Sequence, residues 1–211
     1  MKKNKISKNW LNKQKKDIYF KKSKAQGYRS RSAFKLIEIN NKFKFLKRNI
    51  LLLDLGSSPG GWSQVASKII SKGKILAIDI KPMEKIKNVD FINADFFDDQ
   101  THKRIISHFK LKIDVVMSDM AVNTSGNKNL DSYKTGELCL KSMDLASQIL
   151  NQDGVFLSKF FMGSIFQEIK VKASKYFRMV INYKPLSSKK ESKEIYIYCK
   201  GVLKPFNFHN L

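Results

Sequence analysis

A glycine-rich segment in the first third of the chain carries the clearest chemical signal in this sequence. Residues 54–64 read DLGSSPGGWSQ and directly follow the apolar run 50–53. Glycines in such a turn let the backbone approach a ligand closely. The spacing differs from GxGxxG, in which a helix N-terminus receives a pyrophosphate. The segment is therefore predicted to bind a nucleoside that carries no phosphate.

Two acidic residues farther along the chain stand at similar positions after apolar runs. Asp79 ends the run 74–79, and Asp95 follows the run 89–93. One carboxylate can accept hydrogen bonds from both ribose hydroxyls, and another can meet the amino edge of adenine. Carboxylates would also suit a sulfonium cation better than a phosphate. The three segments together predict a binding site for a cationic nucleoside.

Short apolar strands alternate with helices along the whole chain, and this order must position the acidic residues. Ser30 or Ser32 is expected to cap the first helix. The alternation favours a doubly wound α/β domain that binds ligands at the carboxyl ends of its strands. The predicted strands are 50–55, 74–79, 89–93, 113–118, 154–161, 178–183 and 194–199, and the predicted helices are 30–46, 62–70, 100–109, 131–150 and 165–176.

Positive charge is concentrated near the N-terminus. The chain has 41 Lys or Arg against 18 acidic residues, a net charge of +23, and residues 1–50 hold 17 of the basic residues against 2 acids. Such a field attracts RNA, DNA or an anionic membrane. Residues 1–24 lack the apolar face that a membrane-surface helix needs. We predict a basic tail over 1–24 that contacts RNA, followed by a single domain over 25–205.

The cysteines and the hydropathy pattern indicate where the protein works. Cys139 and Cys199 have no CxxC spacing and no histidine partners, so neither a disulfide framework nor a metal site is predicted. No apolar run approaches the roughly 20 residues of a membrane span, and no signal peptide is evident. These features predict a soluble protein of the reducing cytoplasm.

Four segments of the chain resemble the FtsJ/RrmJ family of RNA ribose 2′-O-methyltransferases. The resemblance implies a Rossmann-like class I methyltransferase fold with a mostly parallel seven-stranded sheet and helices on both faces. It also implies S-adenosylmethionine as cofactor and, as substrate, a uridine of large-subunit ribosomal RNA in the peptidyl-transferase region of the assembled particle. The matching segments are 30–36 (SRSAFKL), 54–64, 118–121 (SDMA) and 187–196.

The same resemblance implies roles for individual residues. The family's catalytic lysine, aspartate, lysine and glutamate correspond to Lys35, Asp119, Lys159 and Glu194. Lys159 is expected to act as the base; the alternative is an ammonium that orients the hydroxyl and stabilises an oxyanion. Two departures affect the loops, with Val122 where the family usually has proline and an apolar segment over 159–163. Cofactor contacts are implied at Gly60, Trp62, Asp79, Asp95 and Asp119.

Alternative functions remain open at this level. A relative acting on a tRNA anticodon loop and a non-catalytic RNA-binding assembly factor share the fold. Base methyltransferases commonly carry an Asn/Asp-Pro-Pro-aromatic motif after the fourth strand, which this sequence lacks at 118–121. No separate RNA-binding module and no obligate protein partner are evident. The residues expected to contact RNA are Arg29 and Arg31 beside Tyr28, together with Lys189, Lys190 and Lys193.

Overall fold

A seven-stranded sheet with helices on both faces forms the domain. The computed structural model describes residues 17–123 and 125–203. The strands are β1 (Leu51–Leu55), β2 (Lys74–Asp79), β3 (Asp90–Asn93), β4 (Ile113–Ser118), β5 (Leu150–Phe161), β6 (Phe177–Tyr183) and β7 (Glu194–Val202). The helices are α1 (Ile18–Ala25), α2 (Ser32–Phe43), α3 (Gly61–Ile69), α4 (Asp99–Phe109), α5 (Lys128–Ile149) and α6 (Phe166–Tyr176).

The strand order places a crevice at the centre of the sheet. The order is β3-β2-β1-β4-β5-β7-β6, and β7 alone runs antiparallel to its neighbours β5 and β6. The chain reverses its winding direction between β1 and β4, and ligands bind at such a switch point, beyond the carboxyl ends of the strands. The predicted doubly wound, mostly parallel seven-stranded sheet is confirmed.

Each face of the sheet is covered by its own apolar core. Successive residues of a strand point to opposite faces, so Leu53 packs against α4, α5 and α6 while Leu52 packs against α2 and α3. Both cysteines are buried and form no disulfide. Within the described part of the chain, no helix is long and apolar enough to cross a membrane.

The start of α2 differs from the sequence prediction. Neither Ser30 nor Ser32 caps this helix, because the N-cap position is taken by Arg31, which makes no side-chain capping bond. The two serine hydroxyls instead bond each other at 2.7 Å. The helix also ends at Phe43, before the predicted residue 46, since Lys44 turns into the left-handed region with φ +52°.

Two further elements begin three or four residues earlier than predicted. Helix α5 starts at Lys128, three residues before the predicted position, because the Asn127 side chain accepts hydrogen bonds from the amides of Asn129 and Leu130. Strand β5 starts at Leu150 instead of residue 154, since Leu150 already pairs with Ile113 before the register shifts.

Helix α1 crosses the boundary that was placed between residues 24 and 25. Asp17 caps it through the amides of Tyr19 and Phe20 and also pairs with Arg31 at the start of α2. Residues 17–24 are therefore joined to the domain by this ion pair and by the contact of the Tyr19 ring with Phe34 of α2. The rest of the predicted tail, 1–16, and residues 204–205 lie outside the described residues, and the tail's contact with RNA stays a prediction.

Candidate active site

A cleft of about 480 Å³ opens where β1, β2, β3 and β4 end. Three of the predicted cofactor residues, Asp79, Asp95 and Asp119, line it. Each comes from the end of a different parallel strand, and parallel strands end at the same edge of a sheet. Apolar side chains complete the walls, among them Ile80, Phe97, Met120 and Leu138.

Backbone amides hold two of these carboxylates in place. Asp79 accepts from the amides of Ser58 and Lys81, both at 2.8 Å, and thereby ties the end of β2 to the glycine-rich loop. Asp95 accepts from the amide of Phe97 at 2.9 Å. An ionised carboxylate has about four acceptor sites, so each retains capacity for ligand hydroxyl or amino groups.

The glycine-rich loop bends sharply beneath the cleft. Gly56 has φ +70°, and a Cβ there would lie 2.1 Å from Met120 Cγ, so only glycine fits. Gly60 has φ +110° and is the N-cap of α3, but it lines neither the cleft nor the smaller cavity beside it. Trp62 lines that smaller cavity, which measures about 120 Å³. Its indole Nε1 donates to the Ser32 carbonyl oxygen at 2.9 Å.

Lys159 and Asp119 form a buried ion pair next to the cleft. Lys159 Nζ lies 2.9 Å from Asp119 Oδ1 and also donates to the Asp119 carbonyl oxygen. The lysine is only 8% exposed, because it lies on β5 in the middle of the sheet. The parallel pairing of β4 and β5 aligns Ser118 with Ser158, so Asp119 and Lys159 follow at adjacent positions.

Lys35 and Glu194 form a second pair on the other side of the site. Lys35 Nζ lies 2.6 Å from Glu194 Oε2, and the Ser188 hydroxyl donates to the other carboxylate oxygen at 2.8 Å. These contacts bring α2 and β7 into one site, since Lys35 and Glu194 are 159 positions apart in the sequence. The structure thus brings together all four residues that the resemblance singled out.

Tyr196 connects the two pairs, although the sequence predicts no role for it. It is fully buried, and its hydroxyl donates to Asp119 Oδ1 at 2.8 Å. Lys35 Nζ lies 5.8 Å from the centre of its ring. Two sequence positions separate Tyr196 from Glu194, and it lies opposite Lys159 in the β5–β7 register. All three side chains consequently face the same side of the sheet.

The network sets the ionisation of its acidic members. Burial on its own would raise the pKa of Asp119, but the ammonium groups of Lys159 and Lys35 and the bonds from Lys159 and Tyr196 outweigh it, so that pKa lies below its ordinary value. Burial, followed by the charges of Asp119 and Glu194, raises the pKa of Tyr196 well above its ordinary value. At neutral pH the site holds an Asp119 carboxylate and a neutral tyrosine donor.

Arg29 and Arg31, which are predicted to contact RNA, bind the protein's own backbone, and their contact with RNA stays a prediction. Arg29 donates to the carbonyl oxygens of Pro59, Glu84 and Lys85. Arg31 donates to the Ser187 carbonyl oxygen as well as to Asp17. Their guanidinium groups therefore join the loops around the site to α2.

Comparison with known proteins agrees with this geometry. The sequence profile of the FtsJ-like methyltransferase family matches residues 28–202. The chain belongs to the FtsJ-like methyltransferase family. It is 52% identical over 200 residues to the ribosomal RNA large subunit methyltransferase E of Pelagibacter ubique, an alignment that covers 95% of this chain and 98% of the relative.

Two solved structures extend the comparison. A Plasmodium falciparum protein described as a ribosomal RNA methyltransferase has a TM-score of 0.75 and 36% identity, covering 83% of this chain and 99% of that one. A Streptococcus mutans protein described as a methyltransferase, in complex with SAH, has a TM-score of 0.53 and 17% identity, covering 79% of this chain and 97% of that one. The second likeness concerns the fold alone. The family and fold predictions are confirmed.

The cleft fits S-adenosylmethionine, the methyl donor of this methyltransferase. Its volume lies within the range of about 300–1,000 Å³ typical of small-molecule sites. Its ionisable lining is mostly acidic, with three carboxylates and one lysine, Lys81, and it includes apolar surface suited to an adenine ring. An acidic site of this kind favours a cationic nucleoside and disfavours a dinucleotide with its phosphates.

Proposed function

We propose that this methyltransferase modifies the ribose 2′-hydroxyl of a uridine in large-subunit ribosomal RNA. The proposed substrate lies in the peptidyl-transferase region and is presented on the assembled large subunit in the cytoplasm. The observation that carries the proposal is the cluster of Lys35, Asp119, Lys159 and Glu194 beside the cleft. Such a set contains groups that can hold a hydroxyl. The segment 118–121 also lacks the Pro-Pro-aromatic motif with which base methyltransferases commonly bind a base.

S-adenosylmethionine, when bound, supplies a strongly electrophilic methyl carbon on a sulfonium. A ribose hydroxyl is a weak nucleophile, so alignment of its oxygen is the main task of the protein side chains. Holding reacting atoms in line is worth roughly 7–11 kcal/mol in favourable cases. Asp79 and Asp95 are proposed to hold the nucleoside, and Asp119 the part of the cofactor nearest to Lys159.

Lys159 is proposed to contact the 2′-oxygen directly. An ammonium has three N–H donors, and Asp119 accepts two of them through Oδ1 and its carbonyl oxygen. The third can hold a lone pair of the 2′-oxygen and leave another for attack on the methyl carbon. The ion pair with Asp119 favours this orienting role over that of a base, since a paired ammonium has no lone pair with which to accept a proton. The hydroxyl proton then leaves to solvent as the new C–O bond makes the oxygen acidic.

Lys35 and Glu194 are proposed to shape the ribose side of the site. Their charges neutralise each other at 2.6 Å, and both side chains are almost completely buried. Exposed lysines on the segment that follows β6 are proposed to bind RNA phosphates, namely Lys189, Lys190 and Lys193.

A product analysis tests this proposal. The full chain would be incubated with cofactor labelled on the methyl group and with separate pools of undermethylated large subunits, free ribosomal RNA and tRNA. Nuclease digestion and mass spectrometry should find a ribose-methylated uridine from the large subunits, and the adjacent phosphodiester should resist alkali. A label on a base would contradict the ribose assignment, and a ribose label found only in tRNA would overturn the substrate.

A further inference from the structure

Asp54 is a buried carboxyl group for which the proposed reaction has no use. It lies on β1, is 1% exposed, and lines the cavity of about 120 Å³ next to the cofactor cleft. Its Oδ2 accepts from the Ser63 hydroxyl at 2.6 Å. Its Oδ1 has no hydrogen-bond partner among the described residues. A buried polar atom without a partner is costly, which indicates that a ligand group completes the site.

The surroundings of Asp54 oppose a negative charge. The titratable groups that act on it are Asp119 at the end of β4 and Asp79 at the end of β2, both of its own sign. Helix α3 contributes the hydroxyl and the backbone amide of Ser63, and no lysine or arginine in the described ranges forms an ion pair with Asp54. Burial first, and then these carboxylates, raise the pKa of Asp54 to about 7.

The small cavity and the cofactor cleft are parts of one site. Gly56, Ser58 and Asp119 line both of them. If the nucleoside lies against Asp79 and Asp95, the remaining part of the cofactor, which carries a sulfonium and an ammonium, extends toward the small cavity. A cation near Asp54 would stabilise its carboxylate and offset the repulsion from Asp119 and Asp79.

We infer that binding of S-adenosylmethionine expels a proton from the Asp54 carboxyl group to solvent, so that cofactor affinity rises with pH through neutrality. The inference rests on the proposed cofactor site and adds a proton linkage to it. About half a proton should be released per cofactor bound near pH 7, because the free carboxyl is then half protonated. Affinity should rise about tenfold between about pH 6 and pH 8.

Calorimetry of S-adenosylmethionine binding in two buffers of different ionisation enthalpy measures this proton directly. Wild type should release about half a proton more than Asp54→Asn near pH 7. Any protons released or taken up by the ligand itself contribute equally in both proteins, so they cancel in the difference between the two proton releases. Asp114→Asn, which alters a carboxylate at the opposite end of β4, should keep the wild-type release. 5′-Methylthioadenosine lacks both the sulfonium and the ammonium of the cofactor, so it should bind without releasing the Asp54 proton.

A second variant covers the case in which Asp54→Asn does not fold. Ser63→Ala removes the hydroxyl that donates to Asp54. Because this hydrogen bond lowers the pKa of Asp54, its loss should raise that pKa and move half-maximal proton release to higher pH. Equal proton release by wild type and Asp54→Asn, or an unmoved midpoint in Ser63→Ala, would overturn the inference alone. Failure of wild type to bind S-adenosylmethionine at any pH would overturn the cofactor assignment together with it.

Discussion

Replacing Lys35 by methionine should destabilise the protein far more than the same change at a surface ion pair. Lys35 and Glu194 are 2.6 Å apart with side-chain exposures of 12% and 9%. Removing one partner of a buried pair leaves an uncompensated charge, which costs about 3–5 kcal/mol. We take about 3 kcal/mol, because Ser188 still donates to Glu194. At roughly 2–4 °C per kcal/mol for a chain of this size, Tm should fall by about 6–12 °C.

Lys172→Met provides a matched control for this prediction. Lys172 and Asp144 are also 2.6 Å apart, but their side chains are 27% and 39% exposed. An exposed pair contributes about 0–1 kcal/mol, so Tm should change little. The double variant Lys35→Met/Glu194→Gln removes both buried charges and should regain most of the lost Tm without regaining methyl transfer. Thermal unfolding that shows equal losses in Lys35→Met and Lys172→Met would refute the reasoning.

Three other predictions concern the cofactor, the pH profile and the tail. Asp79→Ala should weaken S-adenosylmethionine binding roughly ten- to a hundredfold, since a hydrogen bond to a charged group is worth about 1.5–3 kcal/mol. Equal affinity of the variant and wild type by calorimetry would remove Asp79 from the site. Tyr196→Phe removes a donor that lowers the pKa of Asp119, so the acid limb of the rate profile should move to higher pH, whereas an unmoved limb would contradict that role. Deleting residues 1–16 should reduce the log–log salt slope of RNA binding by about 0.9 for each phosphate that the tail neutralises, and an unchanged slope would mean that the tail neutralises none.

The convergence of Asp79 and Asp95 on one cleft could be predicted from local sequence. Apolar runs that end in Asp79 and precede Asp95 indicate parallel strands, and the carboxyl ends of such strands meet at one edge of a sheet. The glycine at position 56 likewise indicates a turn with positive φ. Each of these inferences needs only the residues of one strand and the turn that follows it.

The catalytic side could not be derived in this way. Lys35 and Glu194 meet because β7 runs antiparallel between β5 and β6, and nothing local to either residue specifies that contact. Their assignment came from the family resemblance. Tyr196 shares a face with Lys159 only through the β5–β7 register, and its buried ring looks like core from sequence alone. The internal carbonyl partners of Arg29 depend on loops far apart in the chain, which composition cannot indicate.

The central claim is that Lys159 acts on the ribose hydroxyl and not on the cofactor. Single-turnover methylation of large-subunit ribosomal RNA by Lys159→Ala, with S-adenosylmethionine affinity measured by calorimetry on the same preparation, tests it most directly. Lys159 Nζ lies on Asp119, whereas Asp79 and Asp95 are the carboxylates proposed to hold the nucleoside. We predict loss of methyl transfer with cofactor affinity within about threefold of wild type, a difference of less than about 0.7 kcal/mol. Methyl transfer at the wild-type rate would contradict the account.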